Sequence, residues 1–228
     1  MRRAVILCKV AILENYESGQ IVIEPFEMGL VNPNSYDIRL GPDLFRMKGR
    51  YGQRDLYRPD QTQWERIEPV TAKEIREGAM DGLPPYPNWA EGVVPDDCAV
   101  FRLEPGEFYL ATTLEAIGSR PPQPGEQAIV PEMKAKSTFG RQGLTVALCA
   151  GLGDVGYCSR WALEVRLAGR SVVPLAVGTP IGQVVFHHAT PTESIYGGAG
   201  HYQNDGGVRF LPKPLRWQDP SEDTRPRN

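Results

Sequence analysis

Cysteine and histidine are scarce in this chain, with four of one and three of the other in 228 residues. Cys8, Cys98, Cys149 and Cys158 are too few for a disulfide scaffold. No two of them form a CxxC pair, so zinc ligation by the usual spacing is not expected. Reduced thiols in a cytoplasmic protein fit this usage. Long hydrophobic runs are also missing, and nothing approaches the ~20 apolar residues of a membrane span. The opening MRRAVILCKVAIL sets Arg2 and Arg3 before an apolar stretch, but Lys9 interrupts it. Glu14-Asn15-Tyr16-Glu17 then stands where a signal peptide would show a small-residue cleavage site. Finally, there is no excess of either charge. Lys+Arg is 25 against Asp+Glu 28, a net charge of -3 with pI near 5.7. That argues against a nucleic-acid binder working by bulk charge. It leaves small anionic ligands open, because a pocket needs only a few local cations.

What the chain does have is turn material. It holds 24 Gly and 21 Pro with no repeat period, and 41% of its residues are hydrophobic, enough for a core. The length suits one large domain. Residues 9–18 suit a short helix, 20–25 a strand, and 31–34 a turn. From Ser35 to Leu40 the residues alternate, with Tyr36, Ile38 and Leu40 on one face and Asp37 and Arg39 on the other; Gly41-Pro42 is expected to stop the strand. Residues 46–97 are polar and rich in Arg, Asp, Gln and Pro, and read as an insertion without a periodic core. Within it, Thr71-Ala72-Lys73-Glu74 is a capping box that predicts a helix over 72–79.

Short strands separated by turns follow, over 99–104, 107–112, 127–131, 143–149, 160–167, 171–177 and 181–188. The clearest puts Trp161, Leu163, Val165 and Leu167 on one face, and Arg160, Ala162, Glu164 and Arg166 on the other. The expected class is all-β, mainly strand with a few short helices, as a sandwich, jelly roll or barrel. One domain over 1–210 and a Pro-rich extension over 211–228 complete the organisation.

Three segments could carry chemistry. Residues 134–143 (KAKSTFGRQG) put two hydroxyls, an Arg, two Lys and two Gly before a strand. Such a set can cradle phosphate oxygens, and it can equally be a polar loop. Residues 150–157 (AGLGDVGY) hold Asp154 in a Gly-rich turn, where an Asp is usually turn chemistry; Glu164 follows on the polar face of its strand. Residues 196–203 (YGGAGHYQ) form a Gly-rich loop or a lid. His187 and His188 are adjacent on a strand, point to opposite faces and do not suit one metal.

In order, PNSYDIRLG (33–41), PGEFYLATTLEAI (105–117), KSTFGRQGL (136–144), AGLGDVGY (150–157), WALEV (161–165), GTPIGQVVF (178–186) and YGGAGHYQ (196–203) resemble the dCTP deaminase and dUTPase superfamily, in its deaminase branch. The resemblance covers about residues 4–205. It implies a distorted β-barrel or jelly-roll protomer in a homotrimer, with active sites shared between subunits. The ligand implied is a deoxynucleoside triphosphate, dCTP or dUTP, carrying Mg2+ on its phosphates. No zinc is used, unlike the deaminases with H-x-E and P-C-x-x-C motifs.

By the same resemblance, Glu164 matches the catalytic glutamate, Ser137 the serine that helps hold the attacking water, and Arg141 the arginine that orients the carboxylate. Lys136 and Thr138 match phosphate-binding positions. Tyr196, His201 and Gln203 match the segment that closes over the triphosphate. Asp154 matches an aspartate near the deoxyribose that in dUTPases assists the water attacking phosphate. Asp37 and Arg39 match a structural or interfacial D-x-R-L-G strand. Lys136 stands for the usual Arg, Thr138 for Ser, Val155 for Pro and His201 for Lys.

The implied activity is deamination of dCTP, or a related deoxycytidine nucleotide, to dUTP and ammonia. The alternatives are a bifunctional enzyme that also hydrolyses dUTP, a dUTPase using Asp154, and a nucleotide-binding regulatory trimer without turnover.

Overall fold

The computed structural model describes residues 6–48, 55, 58, 62–78, 82–148 and 151–190. Its elements run α1 (Lys9–Glu17), β1 (Ile21–Glu24), a 3-10 turn (Met28–Leu30), β2 (Tyr36–Met47), β3 (Trp64–Arg66), β4 (Val70–Thr71) and α2 (Ala72–Glu77). They continue with β5 (Ala99–Leu103), β6 (Phe108–Ser119), β7 (Ile129–Ala135), α3 (Ser137–Gly140), β8 (Leu144–Thr145), β9 (Cys158–Leu167), β10 (Val173–Ala176) and β11 (Pro180–His188). The expected all-β class holds.

Eight strands form one nearly closed, barrel-like sheet. Its path is β7-β11-β2-β6-β9-β8, with β1 on β6 and β3 on β2. A smaller sheet runs β10-β5-β4. The alternation read at 35–40 and 160–167 appears as burial: Tyr36, Ile38, Leu40, Leu163, Val165 and Leu167 are at most 1% exposed. They pack in one core with Ile117, Phe101, Val184 and Phe186. Trp161 joins them and its indole N–H donates to the Ile117 carbonyl at 2.8 Å, so a large buried ring keeps its polar atom paired.

Gly41-Pro42 does not stop β2. The strand bends there and continues to Met47. Before the bend it pairs with β11, Asp37 opposite Gln183; after it, with β6, Leu44 opposite Ala111, across a register shift between Leu40 and Leu44. A bulge accommodates Pro42, which has no N–H to give a ladder. Gly41 is required by close approach, since a Cβ there would lie 2.7 Å from the Thr113 carbonyl oxygen and 2.8 Å from that of Thr112. Gly41→Ala is therefore expected to lose about 1–3 kcal/mol, read as a lower urea midpoint at unchanged m-value.

A second bulge, between Thr112 and Ala116 of β6, buries Glu115 completely. Its carboxylate accepts the Arg39 backbone N–H at 2.8 Å and the Arg39 Nε–H at 2.6 Å. Arg39 also meets the more exposed Glu27 at 2.6 Å. Arg39 therefore has two carboxylate partners within the protomer.

The polar stretch 46–97 contributes more than loops. β3 extends the large sheet on β2, and β4 extends the small one on β5. The capping box forms as expected, with Thr71 Oγ1 accepting the Glu74 N–H at 3.2 Å and Glu74 accepting the Thr71 N–H at 2.7 Å; α2 stops at Glu77. Ala72 and Ile75 of that helix bury against Val100 and Ala176 in a small satellite core.

Candidate active site

The segment after β7 is a helical turn rather than an open loop. Lys136 stays extended at φ -84, ψ 131, and its carbonyl accepts the Phe139 N–H at 3.1 Å. The Arg141 N–H donates to the Ser137 carbonyl at 3.0 Å, and Gly143 closes the turn at φ +80. Ser137, Thr138 and Arg141 are exposed on this turn. Among the described residues their hydroxyls and guanidinium make no hydrogen bond or ion pair, leaving them available to a ligand or a neighbouring subunit. Composition pointed to these residues but not to a helical turn, because four residues are too short for periodicity to register.

Lys136 is held differently. Its ammonium forms an ion pair with Asp37, whose other carboxylate oxygen accepts the Asn32 side-chain N–H at 2.9 Å. β11 lies between them: Gln183 faces Asp37 on one side and Lys134 on the other. Asp37 thus anchors the start of the turn. The family resemblance implies a structural or interfacial role for Asp37, and says nothing of a partner 99 residues away.

β8 is only two residues long, Leu144 and Thr145 against Leu167 and Arg166, shorter than the 143–149 expected. The chain then runs on beside β9, and the Leu148 N–H donates to Glu164 Oε2 at 3.1 Å. Glu164 is half-buried on the outward face of β9, as its alternation predicted. Leu148 beside it is 45% exposed, so an apolar side chain and a carboxylate border the same surface.

Gly151 and Gly153 run along the edge of β7, where the Gly153 N–H donates to the Pro131 carbonyl at 2.9 Å. A Cβ on Gly153 would lie 2.9 Å from both Pro131 and the Trp161 ring, so glycine is needed for this seat. Asp154 opens the next turn: its carbonyl accepts the Tyr157 N–H at 2.9 Å, Gly156 sits at φ +88, and the Asp154 side chain is exposed.

One protomer therefore gathers Lys136, Ser137, Thr138 and Arg141 on one turn, and holds Glu164 and Asp154 elsewhere. The turn closes near Ala168, whose N–H donates to the Gly143 carbonyl at 2.8 Å. Glu164 lies four residues before Ala168 along the chain, a backbone span of about 13 Å at strand rise. Tyr196, His201 and Gln203 lie outside the described residues. His187 Nε2 sits 3.0 Å from Glu132 Oε2, and the Lys134 ammonium beside Glu132, with His187 adding to it, holds that carboxyl below the usual range. Among the described residues no three His, Cys, Asp or Glu side chains group as a metal site.

A sequence model of the dCTP deaminase-like family covers residues 6–189, and the chain belongs to that family. Among its relatives is "dCTP deaminase, dUMP-forming" of Salinispora tropica, 32% identical over 204 residues, which are 89% of this chain and 90% of that one. The protein of the same description from Leptospira biflexa is 30% identical over 193 residues, 84% of this chain and 86% of that one. In fold, the chain resembles the crystal structure of 2'-deoxycytidine 5'-triphosphate deaminase from Agrobacterium tumefaciens. The TM-score is 0.51 at 17% identity, with 82% of this chain covered. The match spans 49% of that longer chain.

Proposed function

We propose that the protein deaminates dCTP hydrolytically and carries the resulting dUTP on to dUMP and pyrophosphate. The observation that carries this reading is the placement of Glu164: outward on β9, one carboxylate oxygen held by the Leu148 N–H, in a chain of the dCTP deaminase-like family. The dUMP-forming relatives support the second step.

In this mechanism Glu164 takes a proton from water as the oxygen attacks cytosine C4. The proton passes to N3, and the proton of the new C4 hydroxyl then moves through the carboxylate to the exocyclic nitrogen. The C4–N bond then breaks, leaving a C4 carbonyl and ammonia. Ser137 holds the water, and the Arg141 guanidinium orients the carboxylate and offsets negative charge as it develops. Ser137 and Arg141 lie on α3 and the turn after it, and Glu164 on β9; the reading includes a homotrimer in which Ser137 and Arg141 of one subunit face Glu164 of the next. Lys136 and Thr138 bind phosphate, Asp154 activates the water for the dUTP step, and Tyr196, His201 and Gln203 close over the nucleotide. Mg2+ on the triphosphate, when bound, would neutralise part of its charge beside Lys136 and Thr138. In this reading the triphosphate oxygens would be the metal's ligands. Zinc has no part in the scheme.

The test is to incubate the protein with Mg2+ and dCTP and to measure both products. Ammonia and pyrophosphate in equal amounts are expected. Ammonia alone would remove the second step, and pyrophosphate from dUTP without ammonia from dCTP would overturn the deaminase reading. Lys136→Ala is expected to weaken dCTP binding about tenfold, the worth of one charge-assisted contact, with a smaller change in kcat. Calorimetry showing an unchanged Kd would contradict it.

A further inference from the structure

The charge of Lys136 is already engaged inside the protomer. Asp37, Gln183 and Lys134 stand in register across β2, β11 and β7. Residues opposite one another on neighbouring strands share a sheet face, as do residues two apart along one strand. This is the outward face, since Tyr36 and Ile38 on either side of Asp37 are buried in the core. Lys134, nearer to Asp37 in register, is paired with Glu132. Lys136, extended just past the end of β7, sends its ammonium across β11 to Asp37 instead.

The pair is shielded from water: the Asp37 side chain is 13% exposed and that of Lys136 28%. Shielding strengthens the attraction between the two charges. The carboxylate is held independently of the lysine. Its Oδ1 accepts the Asn32 side-chain N–H at 2.9 Å, and the Asn32 backbone N–H donates to the Ser35 carbonyl at 2.8 Å. The turn with Ser137 and Thr138 leads elsewhere. It runs on into β8, which is not a neighbour of β11 but the far end of the sheet path. Two strand spacings, about 10 Å, separate β2 from β7.

We infer that Asp37 sets the affinity of the proposed nucleotide site by competing with phosphate for Lys136. The inference rests on the reading of Lys136 as a phosphate contact. A phosphate seated on the turn draws the ammonium off Asp37, so nucleotide binds in full only to the fraction of protein in which that contact is open. Asp37 touches no reacting atom; it acts through Lys136 as a positioning residue. The same competition returns the ammonium to Asp37 when an anionic product leaves.

The test is Asp37→Asn, which removes the charge, keeps the shape and retains an oxygen for Asn32. Affinity for dCTP with Mg2+ is measured by calorimetry at 0.15 M salt, in the full chain carrying Glu164→Gln so that nucleotide is not consumed. Asp37→Asn is expected to tighten dCTP about fivefold. With Glu164 intact, KM should fall in step while kcat changes less. In a Lys136→Ala background the same substitution should change Kd less than about twofold, because a carboxylate about 10 Å off is screened at this salt. Asp37→Ser, smaller and equally neutral, should tighten binding too, and circular dichroism melts accompany each variant. Unchanged or weaker binding by both Asp37 variants would overturn the inference, as would equal tightening with and without Lys136. Either result leaves the deaminase reading standing. A parent protein that neither binds nor deaminates dCTP would sink that reading and this inference with it.

Discussion

Glu164→Gln is expected to cut ammonia release from dCTP by about 10³-fold, within the range of a lost general base, while dCTP affinity changes by no more than a few-fold. The amide keeps the shape of the carboxylate, and its oxygen can still accept the Leu148 N–H seen at 3.1 Å. What it cannot do is take a proton from water, so the loss should fall on kcat. Coupled ammonia detection with calorimetric binding on the same preparation separates the two quantities. Turnover near the parent rate would remove Glu164 from its role. The same variant probes how the site is assembled. Mixed oligomers of Glu164→Gln with Arg141→Ala should recover part of the activity that each lacks alone, because some sites then combine an intact glutamate with an intact arginine from the neighbour. No recovery would place both groups in one subunit's site.

The largest expected loss of stability is at Arg39. Arg39→Met leaves the Glu115 carboxylate, which has no solvent exposure, with the Arg39 backbone N–H but without its counter-charge. Stranding one partner of such a pair costs about 3 kcal/mol or somewhat more. In a chain of this size that lowers Tm by roughly 6–12 °C. Adding Glu115→Gln to Arg39→Met removes the unpaired charge, keeps an acceptor for the backbone N–H, and is expected to recover at least half of the loss. Calorimetric scans of the single and double variants check this; equal Tm values for the two would mean that the charge pair is not the cause.

Much of this architecture was legible before any coordinates. Period-two burial at 35–40 and 160–167 and the Thr71 capping box are local statements, written in adjacent residues and set by backbone geometry. The Gly41-Pro42 pair was legible as a break but not as its kind. A strand end and a bulge use the same residues, and which one forms depends on whether β6 lies close enough to exclude a Cβ. The short β8 ran the other way. The pattern over 143–149 permits a longer strand, but only Leu144 and Thr145 find ladder partners on β9.

The candidate site divides along the same line. The sequence by itself determined which residue types are available: a turn with Ser137, Thr138 and Arg141, an outward glutamate at 164, an aspartate in a Gly-rich corner, and an all-β frame to carry them. Residue type and spacing are chemistry that the chain carries in any conformation. Only the tertiary structure decided that Lys136 meets Asp37, that the Leu148 N–H holds Glu164, and that Arg39 neutralises a buried Glu115. Each of these joins groups far apart in sequence, and contacts closed by long loops are specified by the packing of the whole sheet, which no window of neighbouring residues contains.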